Sequence, residues 1–220
     1  MATVAVIDYG MGNLHSISKA LKKVSPDSNV IVTSNRETIL SAGHIVFPGV
    51  GAIRDCMAAI RSAGLDETIK QAAKDKPLLG ICIGMQALLE HSEENDGVEC
   101  LGIIPGQVIK FSSNAVNSEN NKIKIPHMGW NNVNYSIQNP LFENILNNER
   151  FYFVHSYHAT KVGNNYVLAN ANYPYNFPCA IKWKNIVAVQ FHPEKSQDVG
   201  LQLLKNFLNW DAKAESSEHA

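Results

Sequence analysis

The chain opens on a short apolar run, residues 4–7, and its first half then alternates such runs with helical patterns. Residues 30–32, 45–47 and 78–81 read as further strands, the last entered through Pro77. Residues 14–24, 52–62 and 85–91 read as helices, and Gly64 helps to end the second of them. Strand and helix in succession predict a parallel sheet with covering helices and right-handed crossovers.

The second half changes character. Asn and Gly become frequent and helical periodicity fades. Short runs at 107–111, 123–125, 131–135, 150–154, 166–171, 179–183 and 186–191 predict hairpins and mixed strands added to the sheet. The polar stretch 112–121 reads as a mobile loop. Leu201, Leu204 and Leu208 share one helical face, with Leu203 and Phe207 beside it, and predict a last amphipathic helix. No repeat, linker or boundary interrupts the pattern. Residues 1–210 therefore read as a single domain and 211–220 as a polar, disordered tail. The expected class is α/β: a central, mostly parallel sheet, helices on both faces and additional antiparallel strands.

Composition narrows the function. A length of 220 residues allows one large core. Net charge is −1, and Lys and Arg are scattered, so there is no electrostatic case for nucleic acid or an acidic membrane. No apolar run approaches the roughly 20 residues of a membrane span. The opening residues lack the basic start and long apolar stretch of a secretory leader, so a cytoplasmic protein is expected. The cysteines, Cys56, Cys82, Cys100 and Cys179, form no C-x-x-C pair and no zinc spacing. In a reducing compartment each defaults to a small buried hydrophobe. Cys82 invites another reading.

It sits in Gly80-Ile81-Cys82-Ile83-Gly84, between an apolar strand and a helix. That is the setting of a nucleophile elbow, in which a tight turn pushes one side chain out at the strand's end. The flanking glycines remove side chains that would clash across the turn. A helix starting there favours thiolate over thiol, and the amide of Ile83 is left free to meet an oxyanion. The same pentapeptide also suits a buried cysteine in a glycine-flanked turn. A second signal is the run 187–191 ending in His192-Pro193-Glu194. Proline fixes the backbone just past the strand, and a carboxylate two residues on is placed to orient the imidazole that a thiol needs as its base. Alone, His-Pro-Glu is an ordinary loop; beside the elbow it gains weight. A third is Phe47-Pro48-Gly49-Val50-Gly51, where a backbone N–H of Val50 or Gly51 is placed to complete an oxyanion hole with Ile83. By itself this turn is common to α/β proteins.

Two motifs are set aside. Gly10-Met11-Gly12-Asn13 follows the first strand, but His15 stands where a dinucleotide fingerprint needs its third glycine. His155-Ser156-Tyr157-His158 is the nearest approach to a metal pair, but positions i and i+3 of a strand point to different faces.

Taken together the three signals resemble the class I, or triad, glutamine amidotransferases. Asp8-Tyr9-Gly10-Met11-Gly12-Asn13, Pro126-His127-Met128-Gly129-Trp130-Asn131, residues 151–157 and Phe191-His192-Pro193-Glu194-Lys195-Ser196-Gln197 are similar to the glutaminase subunits of imidazole glycerol phosphate synthases, in histidine biosynthesis. The likeness runs from the first strand to about Trp210. It implies a flavodoxin-like sheet extended by antiparallel strands, and no cofactor or metal. It implies Cys82 as nucleophile, His192 as base and then acid, and Glu194 as its orienting carboxylate. Gln86 is implied as a glutamine contact, Ser156 and Tyr157 as backbone contacts to the substrate α-carboxylate, and Glu94 as the partner of its α-ammonium. Ile83 stands where the family commonly has Leu, which leaves the backbone donor unchanged. The implied partner is a (β/α)8-barrel cyclase subunit (HisF), in a heterodimer that receives the ammonia released from L-glutamine. Lys195 and Trp130 are the expected contacts to it, against the plainer readings of a solvated charge and a core tryptophan. A free-standing γ-glutamyl cysteine hydrolase, a glutaminase of another synthase and a non-catalytic binding module are the alternatives. The first leaves Met128-Gly129-Trp130-Asn131 and Lys195 unexplained, the second does so less decisively, and the third has no need of all three triad residues.

Overall fold

The structure is a computed structural model, and it describes residues 3–112, 114, 122–135 and 138–212. In the first half β1 (Thr3–Ile7), α1 (Leu14–Val24), β2 (Asn29–Thr33), α2 (Arg36–Ser41), β3 (His44–Gly49), α3 (Ile53–Ser62), α4 (Leu65–Ala72), β4 (Leu78–Cys82) and α5 (Ile83–Leu88) follow in order. Short strands β5 (His91–Ser92) and β6 (Val98–Glu99) lead to β7 (Gln107–Lys110). Then come β8 (His127–Asn132), β9 (Asn134–Tyr135), β10 (Arg150–His155), β11 (Tyr157–Thr160), β12 (Val167–Asn172), β13 (Asn176–Trp183), β14 (Ile186–Val189) and α6 (Gln197–Asn209).

Among the described residues the main sheet has eight strands, in the order β2-β1-β3-β4-β14-β13-β12-β9. From β2 to β14 every pairing is parallel, and from β14 to β9 every pairing is antiparallel. The parallel part has the flavodoxin-like order. Its strands are apolar without alternation because helices cover them: β4 and β14 are buried at every position. Helix α1 turns Ile17, Ala20 and Leu21 inward and packs on α6, while α2, α3, α4 and α5 pack among themselves. Two smaller sheets, β10-β8 and β11-β7-β5-β6, complete the second half.

Several expectations are corrected. Helices α2 and α4 were not anticipated. The first has six residues, too few to show a period, and is started by the Asn35 side chain, which accepts from the Thr38 amide at 2.9 Å. The second follows directly on α3 through Gly64, whose φ of +63° suits glycine and turns the chain. The helix expected at 85–91 starts at Ile83 and ends at Leu88, and His91 enters β5 instead. Residues 123–125 are not a strand; β8 begins only beyond Pro126, which has no N–H to give a ladder. The run 131–135 is split between β8 and β9, and β11 was not foreseen. The expected loop at 112–121 and tail at 211–220 fall mostly outside the described residues.

This order brings three chain segments to one edge. Gly49 at the end of β3 is in register with Cys82 at the end of β4, and Val189 at the end of β14 is in register with Ile81. Ligands of open α/β sheets bind beyond the carboxyl ends of such strands.

Candidate active site

Cys82 joins β4 to α5 with φ +55° and ψ −109°, a conformation that costs a non-glycine residue on the order of 1–3 kcal/mol. The surroundings hold it there. A Cβ on Gly80 would lie 2.8 Å from Leu88 Cδ1 and 3.1 Å from Ala188 Cβ, and one on Gly84 would collide with the Phe47 carbonyl oxygen. The glycines of the elbow thus let α5 press onto β3 and β14. Ile83 opens the helix, so the helix itself gives its amide no partner. Burial pushes the Cys56 thiol up to about 11 and the Cys100 thiol up to about 12, and raises Cys179 as well.

His192 follows β14 and is pinned from behind. Its amide donates to Tyr152 O at 2.9 Å, and the Ser196 hydroxyl donates to its carbonyl at 2.6 Å. Pro193 starts a single turn, Pro193–Lys195, that folds Glu194 back under the ring. His192 Nδ1 lies 2.8 Å from Glu194 Oε1, with the side chains only 2% and 4% exposed. Among the described residues the imidazole Nε2 has no hydrogen-bond partner. Burial alone would lower the histidine's pKa, but the neighbouring Cys82 and the Glu194 carboxylate outweigh it and raise the pKa above the ordinary imidazole value.

A cavity of about 460 Å³ gathers the remaining expected residues. Val50, Gly51, Cys82, Ile83, Gln86, Glu94, Ser156, Tyr157, His192 and Lys195 all line it. Gly51 has φ +98°, open to glycine and strained for other residues. Glu94 does a second thing: its Oε2 accepts from the Ile53 amide at 3.1 Å, at the start of α3. Trp130 does not line this cavity. It is 38% exposed on β8, beside Met128 at 62%, and meets the edge of Tyr152 with ring centroids 6.1 Å apart. Lys195 lies over the same Tyr152 ring at 5.8 Å. Trp130 is therefore a surface residue and not the core tryptophan of the plainer reading. A larger cleft, about 670 Å³ between Trp130, Leu146, Arg150 and the start of α6, contains neither Cys82 nor His192.

Sequence reading missed what holds the Pro48–Gly51 turn. The Tyr9 hydroxyl donates to Pro48 O at 3.0 Å, and Cys56 Sγ donates to Val50 O at 3.4 Å. Both side chains lie under the turn, where only tertiary structure brings them together. The histidine pair was also hidden. His155 does not pair with His158: its Nε2 meets His127 Nδ1 at 2.9 Å and its Nδ1 donates to Tyr157 O at 2.7 Å, while His158 bonds Tyr175 Oη at 2.9 Å. Burial lowers His127 to about 4 and His155 to about 3.

The chain matches the model of the family "Glutamine amidotransferase class-I" over residues 5–210. It is 52% identical to imidazole glycerol phosphate synthase subunit HisH of Thiobacillus denitrificans, covering 99% of this chain and 93% of that one. To the subunit HisH of Pseudomonas putida it is 53% identical, over 97% of this chain and 100% of the relative. The chain belongs to the HisH family of class-I glutamine amidotransferases. As a HisH-family chain it carries the fold of more distant amidotransferases. PurLQS from Thermotoga maritima superposes with a TM-score of 0.68 at 18% identity, over 94% of this chain and 98% of that one. The glutaminase domain of CTPS from Trypanosoma brucei does so with a TM-score of 0.61 at 16% identity, over 95% and 94% of the two chains. Among the open alternatives, the HisH family stands apart from a free-standing hydrolase and from the glutaminase of another synthase.

Proposed function

We propose that this chain is the glutaminase subunit of imidazole glycerol phosphate synthase and works through a Cys82-His192-Glu194 triad. The observation that carries the triad is the convergence on one cavity of a strained, glycine-flanked Cys82 and a His192 held by a buried carboxylate at 2.8 Å. Residues 1–210 are the single domain proposed to hydrolyse L-glutamine to L-glutamate and ammonia. Cys82 gives its thiol proton to His192 Nε2, and the thiolate attacks the side-chain amide carbon, forming a C–S bond as the C=O π bond opens to the oxyanion. Amides of Ile83 and of the Val50–Gly51 turn hold the oxyanion; one such donor is worth roughly 100- to 1000-fold in rate. As the oxyanion collapses, the C–N bond breaks and His192 Nε2 gives its proton to the leaving ammonia. His192 then takes a proton from water, which attacks the thioester and releases glutamate and the thiolate. Glu194 holds the ring and stabilises the imidazolium throughout.

Gln86, Glu94, Ser156 and Tyr157 bind glutamine in this reading. Gln86 Oε1 is buried with no partner among the described residues, the state of an acceptor kept for a ligand. Trp130 and Lys195 dock the (β/α)8-barrel cyclase subunit HisF in a cytoplasmic heterodimer. Through its core ammonia reaches a phosphoribulosyl-formimino aminoimidazole carboxamide nucleotide, giving imidazole glycerol phosphate and AICAR. The test is His192→Ala in the complex. Glutamine-dependent synthesis should be lost while synthesis from added ammonium salt continues. Near-wild-type glutamine-dependent activity would remove His192 from the mechanism.

A further inference from the structure

Gln190, just past β14, is completely buried. A buried primary amide is tolerated only where hydrogen bonds replace those lost to water. Its bonds can be assigned without ambiguity, starting from a backbone carbonyl. Tyr157 O can only accept, so the Gln86 atom 3.1 Å from it is Nε2. The same Nε2 lies 3.0 Å from Gln190, and a nitrogen with two protons to give requires an oxygen there, so that atom is Gln190 Oε1. The amide of Gln190 is then fixed, and its Nε2 points to Cys82 Sγ at 3.7 Å.

The anchor of this series is itself held. Tyr157 O also accepts from His155 Nδ1 at 2.7 Å, which leaves His155 Nε2 to accept from His127 Nδ1 at 2.9 Å. His127 Nε2 in turn accepts from the Asn131 amide at 3.2 Å. Every donor points the same way, toward the Tyr157 carbonyl. That leaves the carbonyl unable to turn without breaking several bonds.

An amide nitrogen can donate to sulfur and cannot accept from it. Its N–H dipole is directed at the sulfur in a place closed to water, so it favours the anion over the neutral thiol. We propose that Gln190 is a catalytic residue of the glutaminase: its side-chain amide donates to the Cys82 sulfur and keeps it as the thiolate, and Gln86 positions that amide. The assignment rests on Cys82 being the nucleophile. It adds to Gln86 a role besides glutamine contact, since its two N–H groups set the direction of the donor at the thiolate while its oxygen stays open to substrate.

The experiment measures iodoacetamide alkylation of Cys82 in the full-length chain, located by peptide mapping, at pH 7 and pH 10. In the wild type the label should fall on Cys82. Gln190→Met keeps the volume and removes the donor, and Gln190→Glu keeps the acceptor for Gln86 while placing a carboxyl oxygen at the sulfur. Both should slow alkylation about tenfold at pH 7, the scale of one hydrogen bond to a charged group, and both should approach the wild-type rate at pH 10, where the thiol ionises without help. Either variant labelling within twofold of wild type at pH 7 overturns the proposal. So does a deficit that is equally large at pH 10, because that is a loss of access and not of ionisation. Gln190→Glu carries the test if the apolar variant fails to fold. A wild-type label on Cys56, Cys100 or Cys179 instead overturns the triad reading beneath it.

Discussion

His192 Nδ1 and Glu194 Oε1 are 2.8 Å apart in a place almost closed to solvent, and the turn that joins them is a single Pro193–Lys195 bend. A carboxylate this buried is costly unless it stabilises a cation, and the raised pKa of His192 is the counterpart. Glu194→Gln keeps the shape and removes the charge. Steady-state glutamate release in the presence of the cyclase partner should fall about 1000- to 10,000-fold, as for loss of the orienting carboxylate in other triads. A fall of less than tenfold would mean that Glu194 does not orient the base.

Gly84→Ala should be destabilising, because the new methyl meets the Phe47 backbone oxygen, which cannot rotate away. A loss of about 3 kcal/mol in urea unfolding is expected, the upper part of the overpacking range. Gly43→Ala is the control: its Cβ would meet only Thr3 O at 3.6 Å, an ordinary contact, and its midpoint should barely move.

Acid should unfold the protein through its buried histidines. Burial lowers His127 to about 4 and His155 to about 3. In the unfolded chain both titrate near the ordinary value of about 6.5. Between those values the unfolded state binds more protons, so stability is fully present above about pH 6.5 and declines as pH falls toward about 4. His192 has the opposite sign, with a raised folded value, and acts only above about pH 6.5. Urea midpoints measured from pH 7 to pH 4.5 should report an uptake of at least the two protons of His127 and His155, to which His44 and His158, also lowered by burial, add. His127→Asn should remove about one of them. A flat profile over this window contradicts the buried neutral pair.

Tyr9→Phe removes the donor to Pro48 O and leaves a buried carbonyl unpaired. A loss of about 1–3 kcal/mol is expected, measured by chemical unfolding. An unchanged midpoint would show that the hydroxyl does not hold the turn.

How much of this was legible in sequence depended on the range of the interaction. The elbow at Cys82 and the His192-Pro193-Glu194 bend are local, and glycine and proline announce them. The parallel strands β1, β3 and β4 are equally local, as uninterrupted apolar runs. Helix α2 was hidden because six residues carry no period, and it is stabilised by the Asn35 cap and tertiary packing. The Tyr9 support and the His127–His155 pair were hidden for another reason: their partners lie 39 and 28 residues away, on segments that only the folded sheets bring together. Gln190 was in view as part of a motif, but its direction depends on Gln86, 104 residues earlier.

Lys195 and Trp130 share Tyr152 as a neighbour, so the proposed docking contact and the edge of the candidate active site are joined by one ring. Lys195→Ala should lower the maximal stimulation of glutaminase by the cyclase partner, and Trp130→Ala should raise its half-saturating concentration, with unfolding midpoints little changed. The check is glutaminase rate against cyclase concentration with the nucleotide ligand present. Unchanged curves in both variants would remove these residues from the interface.

The most direct test of the central claim is glutamate release by Cys82→Ala in complex with the cyclase partner and its nucleotide ligand, beside ammonia-dependent synthesis by the same complex. Glutamate release should fall to background while synthesis from ammonium salt proceeds at the wild-type rate. Glutamate release that persists at the wild-type rate would contradict a Cys82 glutaminase.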